Sequence, residues 1–290
     1  MYSLLLTICV CSADPSGHEA ANPLYKSLLD PGLEIGQNVR AKLPAPTMPD
    51  ALEPAKQTTI IKNLIDRDYS YEEFTRRSVV APQLIKIRDV TPSDPKAPAR
   101  GVDVWFVAYG DLKAADDEKF LDRLLNSGKS EGKGRGLTKE ELAKRGITIP
   151  PGREKHESYG TIEFDFLEKV RIRATGRAVW SKTAESIIAA AEVDPRFTRD
   201  PEFPNDWRPI TKEGGQVTVG PPQPWSGAGF YLKVTKLGDP AGALFIEQHI
   251  IFAEPTGWFE GTNLFRSKLP PAVQKNVRDM RREWMKTEQK

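Results

Sequence analysis

The sequence predicts an α+β fold, a mainly antiparallel β-sheet with N-terminal helices and a C-terminal amphipathic helix packed on the sheet. Three observations carry this. From Gly160 to Trp180, the side chains of Ile162, Phe164, Phe166, Val170, Ile172, Ala174, Ala178 and Trp180 share one parity, and Glu163, Asp165, Lys169, Arg171, Arg173 and Arg177 share the other. That alternation is extended chain with one buried and one wet face, whereas parallel strands covered on both sides read as uniform apolar runs. Helical spacing precedes the stretch at Ile60, Ile61, Leu64 and Ile65, and returns near the C-terminus at Val273, Val277, Met280 and Trp284.

Taken in order, residues 1–13 (MYSLLLTICVCSA) form an apolar run ending in a small residue and read as a signal segment, although a positively charged start is missing. The protein is therefore expected to be exported, periplasmic or extracellular. Both cysteines, Cys9 and Cys11, fall in this segment, so its removal leaves no thiol for a disulfide. No later run approaches the length needed to span a bilayer. Residues 14–56 carry Pro15, Pro23, Pro31, Pro44, Pro46, Pro49 and Pro54 and read as a Pro-rich leader or linker lying over the fold.

Residues 57–290 then read as a single α+β domain. Ser70 and Glu73 make a capping-box signature ahead of Phe74, and Thr138 and Glu141 make another that Gly146 can close. Ser78–Val90 and Gly101–Tyr109 have strand composition, joined by the proline-bearing connection Thr91–Arg100. Asp111 suits an N-cap before Phe120, Leu121, Leu124 and Leu125, and a flexible cationic loop follows from Ser127 to Gly136. In the central stretch, a two-residue loop at Leu167-Glu168 would set Lys169 opposite Phe166. A continuous strand through that point is expected instead, with a three-residue turn at Thr175-Gly176-Arg177. Alanine richness favours a helix over Thr183–Val193, a strand being the alternative. The long segment 194–229 alternates prolines with Phe197, Phe203, Trp207 and Trp225 and reads as a loop pinned by its aromatics. A hairpin is expected from Phe230–Leu237 and Ala243–Ala253, with Glu247 and His249 on its wet face, and a final helix from about Pro270.

Lysine plus arginine (42) nearly balances aspartate plus glutamate (40), so the net charge of +2 makes no general case for nucleic acid. Gly128-Lys129-Ser130 ends like a phosphate-binding loop, but Arg123 stands where its first glycine should. Ser226 lacks both glycines of a nucleophile elbow. His18, His156 and His249 are too far apart in sequence to show zinc-ligand spacing. No catalytic residue, metal or cofactor is assigned on these grounds.

Two candidate sites remain. Phe164, Phe166, Ile172, Trp180 and Trp284 could line a space between sheet and final helix that holds an apolar or amphipathic molecule, or could be close-packed core. Lys169, Arg171, Arg173 and Arg177 could bind an anion, or be neutralised by Glu163, Asp165 and neighbouring strands. The order of elements resembles helix-grip lipid-binding domains, where a curved antiparallel sheet folds around a C-terminal helix; no motif carries that resemblance and no site residue follows from it. The expectation is an exported, non-catalytic binding or cell-envelope-associated protein with an apolar or anionic small-molecule partner. One alternative is a hydrolase in which Glu163, Asp165, Glu247 and His249 converge on one site. Another is a structural module that binds a partner through an exposed aromatic patch in 194–229.

Overall fold

The computed structural model describes residues 17–36, 39–90, 99–117, 120, 133–259 and 263–287. The expected signal segment with Cys9 and Cys11, the connection 91–98, the helix marked by Leu121, Leu124 and Leu125, and Gly128-Lys129-Ser130 lie outside the described residues.

Helices α1 (Gly17–Ala21) and α2 (Pro23–Leu29) come first, followed by the antiparallel ribbon β1 (Leu33–Gly36) and β2 (Val39–Ala41). Helices α3 (Pro54–Ile65) and α4 (Tyr71–Phe74) follow, α4 opening with the Ser70/Glu73 capping box formed in both directions. The strands are β3 (Gln83–Val90), β4 (Ala99–Tyr109), β5 (Lys133–Gly136), β6 (Glu157–Phe166), β7 (Val170–Lys182), β8 (Ser186–Val193), β9 (Asp206–Glu213), β10 (Gln216–Val219), β11 (Gln223–Pro224), β12 (Ala228–Lys236) and β13 (Ala243–Ala253). Helix α5 (Lys139–Ala143), with the Thr138/Glu141 capping box, interrupts them, and α6 (Leu264–Met285) closes the chain.

All eleven strands from β3 onward join one sheet. Its path is β5-β6-β7-β8-β12-β13-β4-β3, every pair antiparallel, and the β9–β10 hairpin lies beside the first half of β7, in line with β8. One face meets α6: Gln248 donates to the Met280 sulfur, Phe252 meets Phe265 at 5.8 Å, and the Arg281 guanidinium lies over the Phe106 ring. This helix-grip-like arrangement agrees with the element order. Over β4, β8, β12, β13 and the far end of β7, the opposite, outer face is covered by described residues between 17 and 80. There Asn22 donates to the Val179 carbonyl, Tyr231 to that of Pro44 and Tyr109 to that of Thr75. The Pro-rich segment thus supplies a layer of its own, burying Leu24, Tyr25, Leu28, Ile35 and Met48.

The structure corrects four local expectations. The hairpin turn is at Leu167-Glu168-Lys169, not at 175–177: Phe166 pairs with Val170, and Leu167 and Glu168 both take positive φ. A three-residue loop preserves parity as well at 167–169 as at 175–177, and here non-glycine residues accept the left-handed backbone. Gly176 instead sits inside β7, opposite Gly160 and Val193. Second, the Ala-rich segment is strand β8, apolar on both parities because both faces are covered; pairing with β7 and β12 overrides its helix propensity. Third, segment 194–229 is no loop but carries β9, β10 and β11. Fourth, α6 begins at Leu264 and runs through Pro270 and Pro271. Burial of Phe265 and Leu269 before the prolines offsets the backbone bonds that those residues cannot donate.

Candidate functional site

Strand register sets a continuous row across the helix-facing side of the sheet. Ala178 stands opposite Ala191, Ala191 opposite Phe230, Phe230 opposite Ile250, Ile250 opposite Val102, and Val102 opposite Ile87. Every member but Val102 is only half-buried. A packed core would close over such residues, yet the principal backbone contacts of α6 with the sheet are to β4 and β3, at one side of this row. Small side chains dominate the other side, where Gly160, Gly176, Ala178 and Ala191 leave the strand backbones thinly clothed. Sequence reading gave Gly176 to a turn and left Gly160, Ala178 and Ala191 out of the candidate site, although glycine inside a strand signals close approach of another group.

All five apolar candidates belong to the one large hydrophobic core, but they sit at separate places in it. Phe164 pairs with Ile172, and Phe166 packs among Phe252, Trp258, Phe259 and Phe265 at centroid distances of 5.6 to 6.3 Å. Trp180 is eight residues further along β7 than Ile172, about 27 Å at strand rise. Its indole donates to the Lys155 carbonyl at 2.9 Å. Trp284 is fully buried at the end of α6, edge-on to Phe120 at 4.8 Å and against Gly110. The indole nitrogens of Trp284 and Trp258 are buried without a hydrogen-bond partner. At the same end of the sheet as Trp284, a cleft of about 390 Å³ opens between Gly110–Lys113, Ala184, Lys236 and Gly242–Leu244.

The ionic row of β7 is engaged. Arg171 pairs with Asp165 at 2.7 Å, Arg173 with Asp206, and Arg177 with Glu157 at 2.8 Å, while Lys169 is exposed on the turn. An incoming anion would compete with those carboxylates.

Glu247 and His249, expected on a wet face, are buried beneath residues 47–50 because the N-terminal layer covers the outer side. Glu247 accepts from the backbone nitrogens of Thr47 (2.6 Å) and Met48 (3.3 Å). His249 contacts Asp103 through Nδ1 (2.8 Å) and Glu247 through Nε2 (3.2 Å), and Arg88 donates to Asp103 at 2.7 Å. Burial works against a charged imidazole, but hydrogen bonds to Asp103 and then Glu247 outweigh it and raise the His249 pKa above 6.5. A second cluster lies alongside: Asp50 meets Lys233 Nζ at 2.6 Å and accepts from Ser186, and His18 bridges Ser181 and Ser186. Burial pushes the Asp50 carboxyl up, and the donors from His18, Lys233 and Ser186 pull it well below the ordinary 3.8.

The convergence that a hydrolase requires does not occur. Glu163 and Asp165 lie on β6, separated from β13 by β7, β8 and β12, about 19 Å at strand spacing. Nor does 194–229 form an exposed aromatic patch, since Phe197, Phe203 and Trp225 are buried and Trp207 is half-buried. Among the described residues no group of three or more His, Cys, Asp or Glu side chains is arranged to hold a metal ion, and no helix is long and apolar enough to cross a membrane.

No protein-family model matches the chain, and no curated protein matches it. Three solved structures are similar in chain path. The human StarD13 (DLC2) lipid transfer and protein localization domain aligns over 69% of this chain and 90% of its own, at 6% identity and a TM-score of 0.38. Human STARD10 aligns over 88% and 86%, at 9% identity and 0.35. CalU16 from Micromonospora echinospora aligns over 72% and 99%, at 10% identity and 0.27. The architecture itself rests on the strand register described above.

Proposed function

We propose that the chain is an exported, non-catalytic binding or cell-envelope-associated protein that holds an apolar or amphipathic molecule on the helix-facing side of its sheet. The observation that carries this reading is the row Ala178, Ala191, Phe230 and Ile250, apolar throughout and only half-buried. The unpartnered indole of Trp258, stacked on Phe252 two residues along β13 from Ile250, favours a ligand with an oxygen acceptor, because a buried donor left unpaired costs about 1–3 kcal/mol. Export rests on residues 1–13 of the sequence alone.

Native mass spectrometry of the protein purified from its own source tests the ligand, a bound small molecule being the expected result. Its absence, together with no saturable binding of a fluorescent fatty-acid analogue, refutes the reading. Ala191→Trp separates an open face from a solid one. If the row is open, the indole fills it and abolishes binding with little change in stability. A solid core would be overpacked, at a cost of about 1–3 kcal/mol. N-terminal sequencing tests export: a mature chain starting near Asp14 supports it, and retention of Met1 refutes it.

A further inference from the structure

Arg281 lies in the last two turns of α6 and is fully buried. Its guanidinium donates only to backbone carbonyls: Val107 (2.8 Å), Ala81 (2.5 Å), Pro82 (2.7 Å) and, at 3.4 Å, Val79. Burial first, and then the neighbouring charges of Arg278 and Arg76, lower its pKa to about 10. Among the described residues neither Arg76, Arg278 nor Arg281 has a carboxylate within ion-pair distance. Of the other cations on or next to this helix, Lys275 and Arg282 pair with Asp279, Lys286 with Glu283 and Lys268 with Glu168, while Arg266 near its start has no ion pair among the described residues. Three cations without a close ion pair, Arg76, Arg278 and Arg281, thus gather at one place, where Glu73 acts on Arg76 at longer range.

Directly above Arg281 stands a stiff turn. The Ala81 amide donates to the Ser78 carbonyl and the Val80 amide to the Ser78 hydroxyl, both at 3.2 Å, while Arg281 holds the carbonyls of Val79 and Ala81 from below. Val80 projects from the tip at 56% exposure, one of three exposed large apolar side chains among the described residues. An exposed aliphatic tip flanked by unpaired arginines suits a surface that is anionic outside and apolar just beneath. A soluble phosphate would gain nothing from the valine, and a nucleic acid would favour aromatic or amide side chains beside the cations.

We infer that the turn Ser78–Ala81, with Arg76 and Arg278 beside it, docks the protein on an anionic lipid surface, Val80 entering the interface. This inference stands apart from the ligand reading, because none of these residues lies in the half-buried row.

The test is co-sedimentation of the full chain with phosphatidylcholine vesicles, with and without phosphatidylserine. Binding is expected only with the anionic lipid and to fall with added salt. Arg278→Glu and Val80→Asp are expected to weaken partitioning by about fivefold or more each, since each cation near such a surface contributes about a factor of five. Both positions are solvent-accessible, so circular dichroism and Tm should match the unsubstituted protein, and binding of a fluorescent fatty-acid analogue should persist in both variants. Equal binding to neutral vesicles, partitioning unchanged in both variants, full competition by inorganic phosphate, or Arg278-dependent capture of single-stranded RNA in place of vesicles would each overturn the inference.

Discussion

Replacing Glu247 by glutamine exchanges one acceptor oxygen for an amide that can only donate, in a site where Thr47 N–H, Met48 N–H and His249 already point inward. The residue is completely buried, so water cannot make up the loss. Breaking a buried ion pair by removing one partner costs about 3–5 kcal/mol. Against a total stability of about 5–15 kcal/mol the variant remains folded at room temperature, with a Tm lowered by roughly 10 °C for a chain of this size. The pH dependence is diagnostic. His249 has a folded pKa above 6.5, so its contribution is fully present below 6.5 and is lost as pH rises through the folded value. The stability gap between Glu247→Gln and the parent should therefore be widest near pH 6 and narrow toward pH 9. Urea denaturation followed by tryptophan fluorescence at both pH values measures it. A loss below about 1 kcal/mol, or a gap that does not change with pH, would refute the view that a charged imidazole between two carboxylates pins residues 47–50 to the sheet.

Other outcomes follow from the same geometry. Asp50→Asn leaves Lys233 buried without its anion and is expected to cost about 3 kcal/mol, whereas Asp165→Asn breaks the half-exposed Arg171 pair for under about 1 kcal/mol; equal losses in denaturant titrations would contradict the assigned burial. Because the folded Asp50 pKa lies below 3.8, the parent should keep that contribution above pH 3.8 and shed it as pH falls further, and the Asp50→Asn curve should lack this acid limb. Gly176→Ala places a methyl 2.4 Å from the Glu192 carbonyl oxygen, so β7 and β8 must part locally, with an expected loss of about 2–3 kcal/mol in thermal unfolding.

Much of the secondary structure could be read from local signals. The capping boxes at Ser70 and Thr138, the β12–β13 hairpin and the apolar stripe of α6 are each decided within a dozen residues by side chains that meet their own backbone or one neighbouring surface. The turn position in β6–β7 was not decided that way. Parity is conserved by a three-residue loop at either place, and the choice of 167–169 follows from β7 needing its full length to pair with β6 on one side and with β8 and β9 on the other. The alanines of β8 likewise satisfy a helical and a strand pattern equally, and two flanking strands select the second.

For the site, the sequence alone determined which residues share a face: Phe164, Ile172 and Trp180 on one, and Arg171, Arg173, Glu247 and His249 among the polar positions of the other, because a strand alternates by covalent geometry. It placed the final helix on the apolar face, but could not determine how much of that face the helix covers or that Glu247 and His249 lie under a second layer. Tertiary structure decided that the N-terminal layer roofs the ionic side at β13, turning Glu247 and His249 from a wet pair into a buried one, and that α6 sits over β4 and β3 and leaves Ala178 and Ala191 only half-buried. Burial depends on what packs from elsewhere in the chain, and a period of two residues carries no record of it.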